Sequence, residues 1–364
     1  MGTAAAEAPR SVVETLVELM ELPGPTGQEE PILAWCRDRW RQLGAAVRVS
    51  PIGNVLAHVP GDGPRLLLQG HADEIGFVVK SIDACGFVWL DNAQGGGGRF
   101  VHDRYPVGQP ALVLGRNARV PGLFATTTGH ILTTRPQEPA RLAMNDLFVD
   151  VGASSKADAE LLGVHVGAGV IWNPPTRRLG HRLFGKAVDD RVALALMTHL
   201  LAELDRGALA YDLTLAATVQ EEIGLVGASS LVTPADIDLA IAIDNGPIGD
   251  YPGVDPREMP VSLGKGPTLV YKDGWVHYDR RILNQLREIA SSHAIPIQES
   301  TYPGFGSDGA ALIKLGIPTA LLGISTRYTH SAFEMVDERD LFGALELLKA
   351  FVTTPTQPLP LGPS

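Results

Sequence analysis

The chain is expected to be an α/β protein in two parts: an α/β domain built from both ends of the sequence and interrupted by a β-rich module. Three observations lead there. Apolar residues at helical spacing mark both ends of the chain. Between residues 75 and 172, short β-like runs alternate with Gly and Pro, and helical spacing nearly disappears. Finally, 364 residues exceed the usual size of one core.

At the N-terminal end, Val12, Val13, Leu16, Val17, Leu19 and Met20 predict a helix over 11–22, which Pro23-Gly24-Pro25 stops. Thr26 and Glu29 match a capping box for a second helix carrying Ile32, Leu33, Cys36, Trp40 and Leu43. Strands are expected at 46–49 and 54–59, and the leucine run at 66–69 is the first strongly buried strand. "FVV", "GFVWL", "PALVLG" and "RVPGLF" then supply the β-like runs of the middle module. Within it, "QGGGGR" at 94–99 lacks the Lys-Ser/Thr ending and the following helix of a phosphate cradle, and is expected to be a loop. Beyond "IWNPPTRR" the α and β patterns return. Helices are expected near 189–205, 279–293 and 337–353, and strands at 213–219, 239–243 and 318–324.

Composition excludes several functions. The net charge of −11, from 41 acidic and 30 basic residues, argues against a nucleic-acid partner, which would select for clustered Lys and Arg. No apolar run approaches the roughly 20 residues needed to span a bilayer. Cys36 and Cys85 lie far apart without metal-type spacing and are expected to be free thiols, as in a reducing compartment. The opening "MGTAAAEAPR" has no export-signal pattern, so a cytoplasmic location is expected.

The chemistry sits where buried runs end. Ligands of open α/β sheets bind at the carboxyl ends of the strands, and several predicted strands end in ionisable groups. "LLLQGHAD" delivers His71 and Asp73, "LTLAATVQEE" delivers Glu221 and Glu222, and "LAIAID" delivers Asp244. "TALLGISTRYTH" delivers His330 slightly beyond its strand, and "GKAVDDR" puts Asp189 and Asp190 at the start of a helix. Taken singly, Asp189 reads as a helix cap, Asp244 as a turn former, His330 as a surface histidine and Glu221-Glu222 as a solvated pair. Taken together, so many charges beside a core are costly unless a cation joins them.

Imidazole and carboxylate without thiolate point to Zn²⁺, Co²⁺ or Mn²⁺. Three ligating carboxylates and a hydroxide would sum to about −4, which two divalent ions balance. Of the pair Glu221-Glu222, one carboxylate can ligate while the other faces the attacking water as a general base. Asp73 shares a face with His71 and can accept its second ring N–H, fixing the tautomer. Glu74 alternates to the other face and is expected to be structural.

The set "GHADEIGF", "GKAVDDR", "TVQEEIGLVGA", "AIAIDNG" and "STRYTHSAFE" resembles the tetrahedral aminopeptidases of metallopeptidase family forty-two. That family includes glutamyl aminopeptidases and relatives once labelled endoglucanase M. The likeness also takes in "LFVDVGASSKADAELLGV" and "NPPTRRLGHRLFGKAVDDR". It implies a mixed-sheet α/β catalytic domain over 1–74 and 173–364, with an inserted β-rich dimerisation domain over 75–172. It also implies two divalent metal ions per subunit, with His71 and Asp244 on one, Glu222 and His330 on the other, and Asp189 bridging. Asp73 would orient His71, and Glu221 would be the general base. The assembly implied is a homo-oligomer, from a dimer building block up to a tetrahedral dodecamer.

The expected function is therefore a dinuclear-metal aminopeptidase releasing N-terminal residues from short peptides, with metal-bound water as nucleophile. Two other readings stay open. A related dinuclear deacylase or carboxypeptidase-like amidohydrolase would use nearly the same ligands, and an inactive scaffold or binding protein would keep the fold without the reaction. A glycosidase is disfavoured because adjacent carboxylates are poorly placed to flank one bond, and both histidines would go unexplained.

Overall fold

The computed structural model describes residues 11–94, 106–127, 144–231 and 236–355. The opening decapeptide and residues 95–99 of the Gly-rich stretch lie outside them. Helix α1 (Val12–Glu21) begins at Ser11, which forms a capping box with Glu14, and α2 (Glu30–Gln42) follows. Strands β1 (Ala46–Val49), β2 (Val55–Val59) and β3 (Arg65–His71) come next.

Strands β4 (Phe77–Ile82), β5 (Val88–Asn92), β6 (Pro110–Leu114), β7 (Arg119–Ala125), β8 (Phe148–Asp150) and β9 (Gly169–Trp172) close into a barrel in the order β4-β5-β8-β7-β6-β9. A short helix, α3 (Lys156–Leu161), lies between β8 and β9. The barrel has its own apolar centre, where Phe77 meets the rings of Phe124 and Trp172 at 5.2 and 5.1 Å.

The chain then returns to the larger sheet through β10 (Arg177–Leu179), β11 (Arg182–Gly185), α4 (Val188–Glu203), β12 (Asp212–Thr218), α5 (Val226–Ser229), β13 (Leu239–Pro247) and β14 (Thr268–Lys272). It ends with α6 (Arg280–Ser292), β15 (Gln298–Thr301), α7 (Asp308–Lys314), β16 (Thr319–Arg327), β17 (Glu334–Asp337) and α8 (Glu338–Thr353). The sheet runs β1-β2-β12-β3-β13-β16-β17-β11-β10, with β14 pairing β15 and β16. It is mixed: β3, β12, β13 and β16 are parallel neighbours, while the flanking pairs are antiparallel.

The leucine run shows why this sheet is covered on both faces. Leu66 and Leu68 join the apolar cluster containing α1, α2, α4 and α8, whereas Leu67 joins one with Leu56, Ala216 and Leu312 on the opposite face. Successive strand residues alternate faces, so a strand between two helical layers needs an unbroken apolar run. Among the described residues no helix is long and apolar enough to cross a membrane.

Two expectations differ from the structure. The N-cap of α2 is Glu29, with no side-chain cap bond, and Thr26 and Glu29 make no capping box. Both side chains reach other partners instead: Thr26 Oγ1 donates to Asp73 Oδ2 at 2.9 Å, and Glu29 Oε1 accepts from Gly27 and Gln220. Asp244 does not end its strand, because β13 pairs with β16 through Pro247. Strands β14 and β15 and helix α7 were not expected from the sequence. They are four to seven residues long, too short for a periodic signal.

Candidate active site

The polar cluster gathers at the carboxyl ends of β3 and β12, on β13, after β16 and at the start of α4. At the end of β3, His71 is 2% exposed. Its Nε2 lies 2.9 Å from Asp189 Oδ1, and its Nδ1 lies 3.2 Å from the Asp73 carbonyl and 3.4 Å from Asp73 Oδ1. Asp189 faces a second imidazole through its other oxygen, with Oδ2 3.4 Å from His330 Nε2. His330 Nε2 is also 3.4 Å from Glu222 Oε1. One carboxylate therefore spans two histidines that come from opposite ends of the chain.

Backbone geometry aims these groups. In the first turn of α4, Asp189 and Asp190 have non-helical dihedrals, and the peptide between them is cis. Asp190 Oδ2 accepts the His71 N–H at 3.1 Å, tying the helix start to the strand end. The turn after β12 is held by Asp73, whose carboxylate accepts the N–H groups of Glu221 at 3.0 Å and Glu222 at 3.2 Å. Glu334 holds the other side: its two oxygens accept from Asp189 N at 2.8 Å and His330 N at 3.0 Å.

Among the described residues, potential ligand atoms fall into two groups, each within 4.8 Å of one another: His71, Asp189 and Glu222, and His71, Asp190 and Asp244. The family resemblance implies His71 and Asp244 on one ion with Asp189 bridging, and it implies no role for Asp190. Asp190 was visible in "DDR" but read only as part of the helix start. Glu334 lay inside the quoted "STRYTHSAFE", and Asp308 inside "GFGSDGAAL"; nothing in spacing singled them out. Asp308 Oδ2 accepts from Thr218 Oγ1 at 2.5 Å.

The electrostatics are those of too many carboxylates in one largely buried place. Burial pushes Glu221 well above the usual carboxylate range; His71 opposes the rise, and Glu222, Asp244 and Asp308 add to it. Burial also raises Asp244, with Asp190 and Asp189 adding repulsion, and raises Asp190 against the pull of His71. Asp189 goes the other way: burial would raise it, but hydrogen bonds with His330 and His71 outweigh burial and lower it. Both imidazoles are held well above their ordinary value although burial opposes it, by Asp189 and Asp73 at His71 and by Glu222 and Asp189 at His330.

The donor set fits divalent cations. Carboxylates outnumber imidazoles, thiolate is absent from the cluster, and Glu222 Oε1 is buried with only the long 3.4 Å contact to His330 Nε2. A cation would satisfy that oxygen and relieve the repulsion that the raised carboxyls report. Glu74, by contrast, belongs to the scaffold: Lys186 Nζ contacts its oxygens at 2.9 and 3.0 Å and Arg191 at 3.3 Å.

A sequence model of the M42 glutamyl aminopeptidase family matches residues 53–347. The chain is 28% identical over 344 residues to the lysyl aminopeptidase of Pyrococcus furiosus, covering 93% of this chain and 96% of that protein. Among solved structures, an aminopeptidase from the archaeon Desulfurococcus kamchatkensis superposes with a TM-score of 0.88 at 30% identity, covering 95% of both chains. A TET peptidase of Pyrococcus horikoshii, which can assemble into a tetrahedron or a large octahedral shell, superposes at 0.84 with 26% identity, covering 94% of this chain and 99% of that one.

Proposed function

The chain belongs to the M42 glutamyl aminopeptidase family and is a peptidase; from that premise we propose that it is a dinuclear-metal aminopeptidase that removes N-terminal residues from short peptides. The observation that carries the reading is Asp189, whose two oxygens face two different imidazoles at 2.9 and 3.4 Å. Such a carboxylate suits a bridge between two ions. His71 and Asp244 would hold one ion, with Asp190 beside them, and Glu222 and His330 the other. Bound there, divalent ions such as Zn²⁺, Co²⁺ or Mn²⁺ would supply Lewis acidity toward the scissile carbonyl and toward water.

The protein's own groups do the rest. Glu221 accepts the proton of the attacking water at its carboxylate and returns it to the departing amine nitrogen. Its proton affinity, raised by burial above the usual carboxylate range, suits a group that takes up a proton and passes it on. Asp73 fixes the backbone of Glu221 and Glu222 and stands beside His71 Nδ1, so one residue orients both halves of the site.

The reading extends to organisation. Residues 1–74 with 173–364 would form the catalytic domain, and 75–172, which contain the barrel, the dimerisation domain. A homo-oligomer is supported by relatives such as the shell-forming Pyrococcus horikoshii peptidase. The direct test is a panel of aminoacyl anilides against N-acyl amino acids and C-terminally exposed peptides, with enzyme stripped by chelation and reloaded with Zn²⁺, Co²⁺ or Mn²⁺. Cleavage confined to anilides, lost on chelation and recovered with metal, is expected. Preference for N-acyl substrates would replace the aminopeptidase with a deacylase.

A further inference from the structure

We infer that Glu29 is a positioning residue for Glu221, holding the backbone that aims the general base. The inference rests on the reading of Glu221 as that base. Glu29 sits at the N-cap of α2 yet makes no cap bond with its side chain, and it is only 4% exposed. A carboxylate buried at a helix start would be expected to cap it. Instead Oε1 accepts the N–H of Gly27 at 2.7 Å and, across 191 positions of sequence, the N–H of Gln220 at 3.1 Å.

Gln220 is the residue before the base, and its backbone is left-handed, with φ of 53°. A residue with a Cβ adopts that conformation only when its surroundings hold it there. The next two N–H groups, of Glu221 and Glu222, end on Asp73. Three consecutive N–H groups are thus fixed by two carboxylates from outside the turn. Thr26 joins the same bracket by donating to Asp73 Oδ2, so the segment 26–29 supplies one anchor and holds the other. Remove Glu29 and the Gln220 N–H loses its acceptor, the left-handed backbone can relax, and the Glu221 side chain swings with it.

The contact requires an acceptor oxygen rather than a charge. Burial, and after it the Asp73 charge, push Glu29 up to about 7, so its surroundings already tolerate the neutral form. Glutamine offers an oxygen of the same reach, aspartate one that stops a methylene short, and alanine none.

The test uses the full-length protein loaded with metal. Glu29→Ala is expected to lower kcat by about 10-fold to 100-fold, the scale on which small misplacements act, with KM within about threefold, and with melting temperature and metal content by elemental analysis unchanged. Glu29→Gln is expected to recover most of kcat. If Glu29→Ala does not fold, Glu29→Asp takes its place with the same expectation. Parental kcat in folded Glu29→Ala or Glu29→Asp overturns the inference, as does a loss expressed in KM or metal content, or a Glu29→Gln as impaired as alanine. A Glu221→Gln control separates the two ideas: if it too retains kcat, the reading of Glu221 fails, whereas loss there with parental Glu29→Ala sinks only the positioning role.

Discussion

Glu221 and Glu222 are neighbours in the chain with different partners, and the roles proposed for them rest on that difference. Glu222 lies 3.4 Å from His330, on the imidazole that Asp189 also faces. Glu221 is crowded by Asp244, Asp308 and Glu222, and burial raises it well above an ordinary glutamate. The ligand groupings among the described residues take in Glu222 and leave Glu221 out, which suits Glu221 to proton transfer and Glu222 to ligation. Glu221→Gln is expected to keep the fold and the metal content while kcat drops by about 10²-fold to 10⁴-fold, checked by steady-state kinetics beside elemental analysis. Near-parental kcat in a fully loaded variant would remove Glu221 from the reaction. His71 and Glu222 stand out in the sequence at the ends of buried runs, His330 just beyond one and Asp189 at a helix start, and so many ionisable groups beside a core cost energy unless they are used. Glu334 and Asp308 were not: their recorded partners are backbone N–H groups in one case and the Thr218 hydroxyl in the other, and accepting a hydrogen bond leaves no periodic trace. Thr26 and Glu29 were misread for a related reason, since a capping pattern describes only local bonds and theirs cross the molecule.

Among the elements, β3 and α4 do most to place the site, and they meet at Gly70. A Cβ there would lie 2.3 Å from the Ala193 Cβ and 2.8 Å from Asp190 Oδ2. Strand and helix can approach this closely only without a side chain at 70, and the approach lets Asp190 accept the His71 N–H. Gly70→Ala is expected to push α4 outward, costing about 1–3 kcal/mol of stability as overpacking does. Activity should fall as well, because Asp189 moves away from His71. Urea denaturation and kcat measured on the same preparation check this, and parental values in both would show that the contact is slack. The long parallel strands were legible because burial on both faces demands continuous apolar runs, as at 66–68 and 239–243. The hairpin of β10 and β11 and the pair β14 and β15 are short and mixed in burial, so tertiary pairing and not local pattern makes them strands.

At the scale of the molecule, the residues proposed for catalysis all come from outside the barrel strands, which leaves the barrel's role to its surface. Its interior is filled by its own side chains, including Phe77, Phe124 and Trp172. Beside that interior, where α3 ends, large apolar groups face outward: Leu161 is 85% exposed, Leu162 43% and Val166 66%. Single exposed leucines are ordinary, but a cluster within six residues of sequence is the kind of surface that association buries. The sequence hinted at a β-rich module but not at this cluster, because exposure is a property of the packed barrel. If the barrel carries self-association, the doubly substituted Leu161→Glu, Val166→Glu protein should sediment as a smaller species than the parent, since a charged side chain in an apolar contact must be desolvated without a partner. Its melting temperature should stay near that of the parent's dissociated form, because neither residue contributes to the barrel interior. Sedimentation velocity at matched concentrations reads the outcome, and a variant that sediments with the parent would place the association surface elsewhere on the chain.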